Sequence, residues 1–144
     1  MNLEKLIETR EYKPTCDFPI PAKELLARFE RLYTGAVNDV MREFCLLNQA
    51  LPGHIKPLRE YRTVAGFAFT VKSAPNVMIR GEMEFRTKML DELGEDHFVL
   101  WDTSGDEEAT LWGGVMTATA KGKKVKAACI DGGIRDTHQI LEAD

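Results

Sequence analysis

The sequence predicts an α/β domain with parallel crossovers, on three observations. From residue 62 onward, runs rich in β-branched and aromatic residues alternate with stretches of helical period, in the order strand, helix, strand, helix, strand, helix. Each run is short and is closed by glycine, proline or polar residues. The composition is that of a globular protein: of 144 residues, 44% are hydrophobic and 29% charged, with 11 glycines and 6 prolines. That mixture excludes collagen-like repeats and a disordered chain.

Residues 1–21 show no clear period and carry Pro14, Pro19 and Pro21, so they read as an extended N-terminal arm ahead of a domain over residues 22–144. Ala22, Leu25, Leu26, Phe29 and Leu32 recur at helical spacing, with Pro21 where a first-turn proline is tolerated. Thr34 is expected to cap a second helix with the stripe Ala36, Val37, Val40, Met41 and Phe44, and Pro52, Gly53 and Pro57 enforce a connection after it. Arg62 to Lys72 has strand composition, with Gly66 at a close approach or a bulge, and Ser73 to Asn76 ends it. A helix is expected over residues 79–93, carried by Phe85, Met89, Leu90 and Leu93, with Gly94 just past its end. His97 to Asp102 is a buried strand, and residues 103–108 form a polar loop in which Glu107 and Glu108 face solvent. Helical spacing returns at Val115, Met116, Thr119 and Ala120 and stops at Gly122. Val125 to Ile130 is the next strand, and it leads through Asp131-Gly132-Gly133-Ile134-Arg135-Asp136 to a helix beginning near Thr137.

Charge narrows the partners. Nineteen Lys and Arg against 23 Asp and Glu leave a net charge of −4, and the densest basic group is Lys121, Lys123, Lys124 and Lys126. Neither nucleic acid nor an anionic membrane is an expected partner, since both call for a concentrated positive face. No apolar run approaches the ~18 residues of a membrane span. Cys16, Cys45 and Cys129 are an odd count without C-x-x-C spacing, and His54, His97 and His138 lie far apart. This usage matches a reducing compartment and gives no zinc motif, so a cytoplasmic location is expected. The phosphate-binding motifs G-x-G-x-x-G and G-x-x-x-x-G-K-[ST] are absent.

Ligands of such folds gather beyond the carboxyl ends of strands, where two segments carry chemistry. The first runs from Asp102 to Met116 through Trp112-Gly113-Gly114. Two glycines inside a helix cost roughly 1 kcal/mol each, so they belong at its start, where the N–H groups of Val115 and Met116 point outward and a carboxylate or phosphate can come close. From the residues alone, tight helix-to-sheet packing is the slightly favoured account of the same glycines. The second is Gly132-Gly133-Ile134-Arg135-Asp136: the Arg135 fork matches a carboxylate, and the Asp136 carboxylate can bind a hard cation such as Mg²⁺. Against this, Asp136 could simply cap the last helix and Arg135 make a surface ion pair. Asp102 and Asp131, which end strands on the same face, are weaker candidates. Trp101 and Trp112 are expected to pack, and Cys129 to behave as a small buried hydrophobe.

Trp112-Gly-Gly-Val-Met-Thr-Ala-Thr-Ala120 followed by Ala127-Ala-Cys-Ile-Asp-Gly-Gly-Ile-Arg135-Asp136 resembles the family of the regulator of ribonuclease activity A and the related 4-hydroxy-4-methyl-2-oxoglutarate aldolases. Thr34-Gly-Ala-Val-Asn-Asp39-Val, Val64 to Val71 and Phe98 to Asp102 extend the likeness, which spans residues 25–144. The resemblance implies a swivelling β/β/α fold assembled as a homotrimer or hexamer with sites between subunits. It implies a lyase that uses Mg²⁺ or Mn²⁺ to cleave 4-hydroxy-2-oxo acids to pyruvate, with oxaloacetate decarboxylation besides. Carried over by position, Arg135 holds the pyruvyl part and stabilises its enolate, Asp136 holds the metal, and Gly113, Gly114, Val115 and Met116 line the substrate. The alternative is a non-catalytic regulator acting through protein contacts. Two departures stand out: the position after Gly113 is often glutamate in the aldolases and is Gly114 here, and family members continue past the Arg-Asp loop. The last helix, without a glycine cap and ending in Glu142 and Asp144, has the wrong charge for its end, so a truncated domain that exposes an unpaired edge is expected.

Overall fold

The computed structural model describes residues 3–10, 18–60, 62–75 and 80–143. Pro14, Cys16, Asn76 and Ile79, which entered the sequence reading, lie outside the described residues. The chain divides into two compact units, Met1–His54 and Ile55–Asp144. The first unit is built of helices. Helix α1 (Leu3–Arg10) corrects the expectation of an extended lead-in: it is barely two turns long, too short for a repeat to register, although Leu3 and Ile7 fall one turn apart. Helix α2 (Ala22–Phe29) starts directly after Pro21, buries Leu26, and pairs Glu24 with Arg28 at 2.5 Å across one turn. Helix α3 (Thr34–Glu43) takes Thr34 as its first helical residue and not as its cap, a place held by Tyr33 without any side-chain capping bond.

The second unit carries the alternation the sequence predicts: β1 (Phe67–Lys72), α4 (Glu82–Glu92), β2 (His97–Asp102), β3 (Thr110–Trp112), α5 (Gly114–Gly122), β4 (Ala127–Asp131), β5 (Gly133–Ile134) and α6 (Thr137–Glu142). The first, second and fourth strands form a parallel sheet in the order β1-β2-β4, in which Phe67 pairs with His97 and Phe98 with Ala127. Strand β1 starts at Phe67 and not at Arg62. The residue before it, Gly66, runs so close to β2 that a Cβ there would stand 2.9 Å from Phe98 Cβ and 3.0 Å from the Asp96 carbonyl oxygen. Strands β3 and β5, unannounced by any periodicity, form a separate parallel pair.

Leu93, Val99, Trp101, Leu111, Trp112, Met116 and Ala120 form the core, with Met89, Leu90, Ile130, Ile134 and Ile140 packed against them. Both tryptophans are structural, and each buried indole N–H finds an acceptor 2.9 Å away, Ser73 Oγ for Trp101 and Thr117 Oγ1 for Trp112. Phe85, expected on the packed face of α4, stands a turn ahead of Met89 and is 70% exposed. Helix α6 has no basic residue in its last turn. Its end is served by cations from elsewhere in the chain: Arg59 donates to the Leu141 carbonyl and Lys121 to that of Ala143. None of the described helices is long and apolar enough to cross a membrane.

Candidate functional site

Because β3 and β5 run parallel, with Thr110 opposite Gly133 and Trp112 opposite Ile134, the residues that follow each strand emerge side by side. The Arg135 N–H continues the pairing by donating to the Trp112 carbonyl at 3.0 Å. Gly113 and Gly114 are thus set against Arg135 and Asp136, two segments far apart in sequence. Helix α5 begins at Gly114, as the glycine pair predicts, and Gly113 is extended, with φ −162°. Such a backbone admits any residue, so glycine is required here by space: a Cβ on Gly113 would lie 2.8 Å from Asp136 Oδ2 and 3.1 Å from Arg135 Cγ. The turn is pinned by Thr117, whose N–H and hydroxyl both donate to the Gly113 carbonyl, at 3.0 and 3.1 Å.

Asp136 occupies the left-handed region, φ 58° and ψ 35°, which aspartate tolerates better than most residues. By position it precedes α6, yet its carboxylate makes no capping bond there. It caps the neighbouring helix instead: Gly114 N–H donates to Asp136 Oδ2 at 3.2 Å, at the positive end of α5. Arg135 Nε stands 3.5 Å from the same oxygen, and the arginine side chain is 69% exposed. An exposed pair of this kind is loosely held, which leaves the guanidinium fork free to turn toward a ligand. Val115 is exposed beside them, while the Met116 side chain is buried in the core, so Met116 can meet a ligand only through its main chain.

Asp102 and Asp131 pair in register at the carboxyl ends of β2 and β4. Lys72 Nζ lies 2.6 Å from Asp102 Oδ2 and the Ser104 N–H 2.8 Å from Oδ1, and these bonds hold the exposed Asp102 carboxyl below the usual carboxylate range. Between them Thr103 is fully buried and its hydroxyl donates to the Asp131 carbonyl. Burial, followed by the charge of Asp131, pushes the Cys129 thiol up, away from the reactive thiolate. The structure therefore separates the two groups of candidates by role: Asp102 serves an ion pair, whereas Gly113, Gly114, Arg135 and Asp136 meet. Sequence reasoning missed Gln139, whose side chain lies across Gly114. Its place in the first turn of α6, directly after the Arg-Asp ending, was the available signal.

Among the described residues no three His, Cys, Asp or Glu side chains cluster around one point. Asp136 is the carboxylate that the fold sets against the start of α5. That donor set fits Mg²⁺ or Mn²⁺, hard ions held by one or two carboxylates and otherwise by water and substrate oxygens, and it does not fit a closed zinc site.

Comparison with known proteins bears on these residues. The family model described as RraA-like: Aldolase/RraA matches residues 34–144. A crystal structure described as one of novel cellulases from microbes associated with the gut ecosystem is 80% identical with a TM-score of 0.88, covering 100% of this chain, which spans 65% of that one. Streptomyces coelicolor RraAS2, described as an unusual member of the RNase ES inhibitor RraA protein family, has a TM-score of 0.71 at 19% identity, covering 88% of this chain and 61% of its own. Protein DlpA of Legionella pneumophila subsp. pneumophila is 24% identical over 86 residues, 60% of this chain and 14% of DlpA.

Proposed function

Since the chain belongs to the RraA-like family, which joins aldolases with RraA, we propose that it is a divalent-metal-dependent lyase that cleaves 4-hydroxy-2-oxo acids to pyruvate and decarboxylates oxaloacetate. One observation carries this reading: the Arg135 guanidinium, the Asp136 carboxylate and the start of α5 converge at a solvent-facing corner, where a glycine pair lets these side chains come close to the backbone. Retro-aldol cleavage and β-decarboxylation both push the electron pair of a breaking C–C bond into a pyruvate enolate. Arg135 offers a planar fork to that developing charge. Gly113 and Gly114, without side chains, admit the oxo acid to the N-terminal turn of α5, where exposed Val115 forms an edge. Asp136 would hold Mg²⁺ or Mn²⁺, which when bound supplies Lewis-acid stabilisation of the oxo-acid oxygens. The same reading carries a cytoplasmic homotrimer or hexamer.

Two other readings have support. Gly114, in place of the acid frequent in aldolases, favours a non-catalytic regulator acting through protein contacts. The relative described among cellulases raises glycoside hydrolysis, which needs a pair of carboxyls with one kept protonated. The Asp102 carboxyl is held below the usual carboxylate range by Lys72 and Ser104, which opposes a protonated acid there, and the site favours the lyase.

The test is pyruvate release from oxaloacetate and from 4-hydroxy-4-methyl-2-oxoglutarate, with Mg²⁺ and with a strong chelator. Turnover is expected with the metal and not with the chelator, and Arg135→Lys, which keeps charge but loses the fork, is expected to lower kcat by about a hundredfold or more. Near-normal turnover in Arg135→Lys removes that residue from the mechanism. An enzyme indifferent to the chelator overturns the metal, and a well-folded chain inert on both acids leaves the regulator reading.

A further inference from the structure

Gly114 is a helical residue without a positive φ, so its backbone does not call for glycine. The place a side chain would take there is filled by Gln139. A Cβ on Gly114 would collide with Gln139 Oε1 and lie 3.4 Å from both Cβ and Cδ of the same side chain. The empty side-chain place at 114 and the amide at 139 are thus one feature: the wall that α5 lacks is supplied by α6. Gln139 is exposed, and its side-chain amide makes no hydrogen bond to another described residue, so two donors and an acceptor remain for a ligand. Gln139 Oε1 adjoins the Cβ place of Gly114 and Asp136 Oδ2 that of Gly113, so the amide and the carboxylate flank two consecutive residues at the start of α5, within reach of one four-carbon diacid. Being neutral, the amide adds no negative charge beside Asp136 that would oppose an anion.

We propose that Gln139 is the specificity residue of this corner, its carboxamide donating to the far carboxylate of a four-carbon dicarboxylic acid whose near end is held at Arg135 and Asp136. This rests on the lyase reading for the near end and adds the selection of a dianionic over a monoanionic oxo acid.

The experiment is calorimetric titration, in Mg²⁺, of the wild-type chain, Gln139→Ala and Gly114→Ala with malate and with lactate, hydroxy acids that share a head and differ in the far carboxylate. Gln139→Ala is expected to weaken malate by about tenfold, the worth of one hydrogen bond, and to leave lactate unchanged. Gly114→Ala, whose new methyl takes the place of the amide and crowds the start of α5, is expected to weaken both acids and malate the more, while alanine, the better helix former, keeps the fold. Unchanged affinities, equal losses for both acids, or a wild-type chain that does not bind malate would each overturn the proposal. Selective loss in a chain that releases no pyruvate keeps the subsite and removes the lyase. An active lyase whose malate affinity ignores both variants does the reverse.

Discussion

At Asp136 a left-handed backbone and an accepted Gly114 N–H coincide, so substitutions there separate conformation from bonding. Asn tolerates the same φ and also caps, and Asp136→Asn is expected to change the unfolding free energy by less than about 1 kcal/mol while weakening metal-dependent activity strongly. Asp136→Ala loses both features and is expected to cost about 1–2 kcal/mol in urea denaturation; an alanine variant as stable as the wild type would show that the cap contributes nothing. Asp102 is read through pH. Its folded carboxyl is held low by Lys72 and then by Ser104, so its contribution is present above the unfolded value of about 3.9 and is lost as pH falls through the lower folded one. Stability measured below about pH 4 is therefore expected to fall less steeply in Asp102→Asn than in the wild type; identical slopes would dismiss the Lys72 pair. The glycine pair and the Arg-Asp ending were legible in the sequence because each sits where a strand must stop and a helix must start. That Asp136 caps α5 and not its own helix was not legible, since it depends on a pairing of β3 with β5 that no local pattern encodes.

Elements long enough to show a period were legible: β2 has the expected bounds, and α2, α3, α4 and α5 lie within or close to theirs. The three-residue β3 and two-residue β5 were not, because alternation needs more residues than they have, and tertiary pairing alone makes them strands. Gly66 shows the opposite case, a single residue whose close approach was foreseen and is found. Its neighbours, a Cβ and a backbone carbonyl of the adjoining strand, cannot rotate away. Gly66→Ala is accordingly expected to cost about 1–3 kcal/mol through displacement of β1 from β2. Thermal melting checks it, and an unchanged midpoint would mean that the strand yields without loss.

In the main sheet every neighbour is parallel, and each pairing closes a whole strand-helix-strand unit: Phe67 waits for His97, and Phe98 for Ala127. The sheet therefore contains no hairpin from which to start. Loop-closure entropy has to be met before any ladder bond forms, which makes folding slow and collective compared with that of a helical unit of similar size. In pulsed hydrogen exchange during refolding, the amides of β1, β2 and β4 are expected to gain protection together and after those of the helices; early protection of a single strand pair would contradict this. For a chain leaving the ribosome the order of events is also set: β1 has no partner until β2 is out, and β2 remains one-sided until β4 follows. The nascent sheet spends its synthesis with an open edge, and the time to translate each crossover is the time that edge must be kept from the edges of other chains.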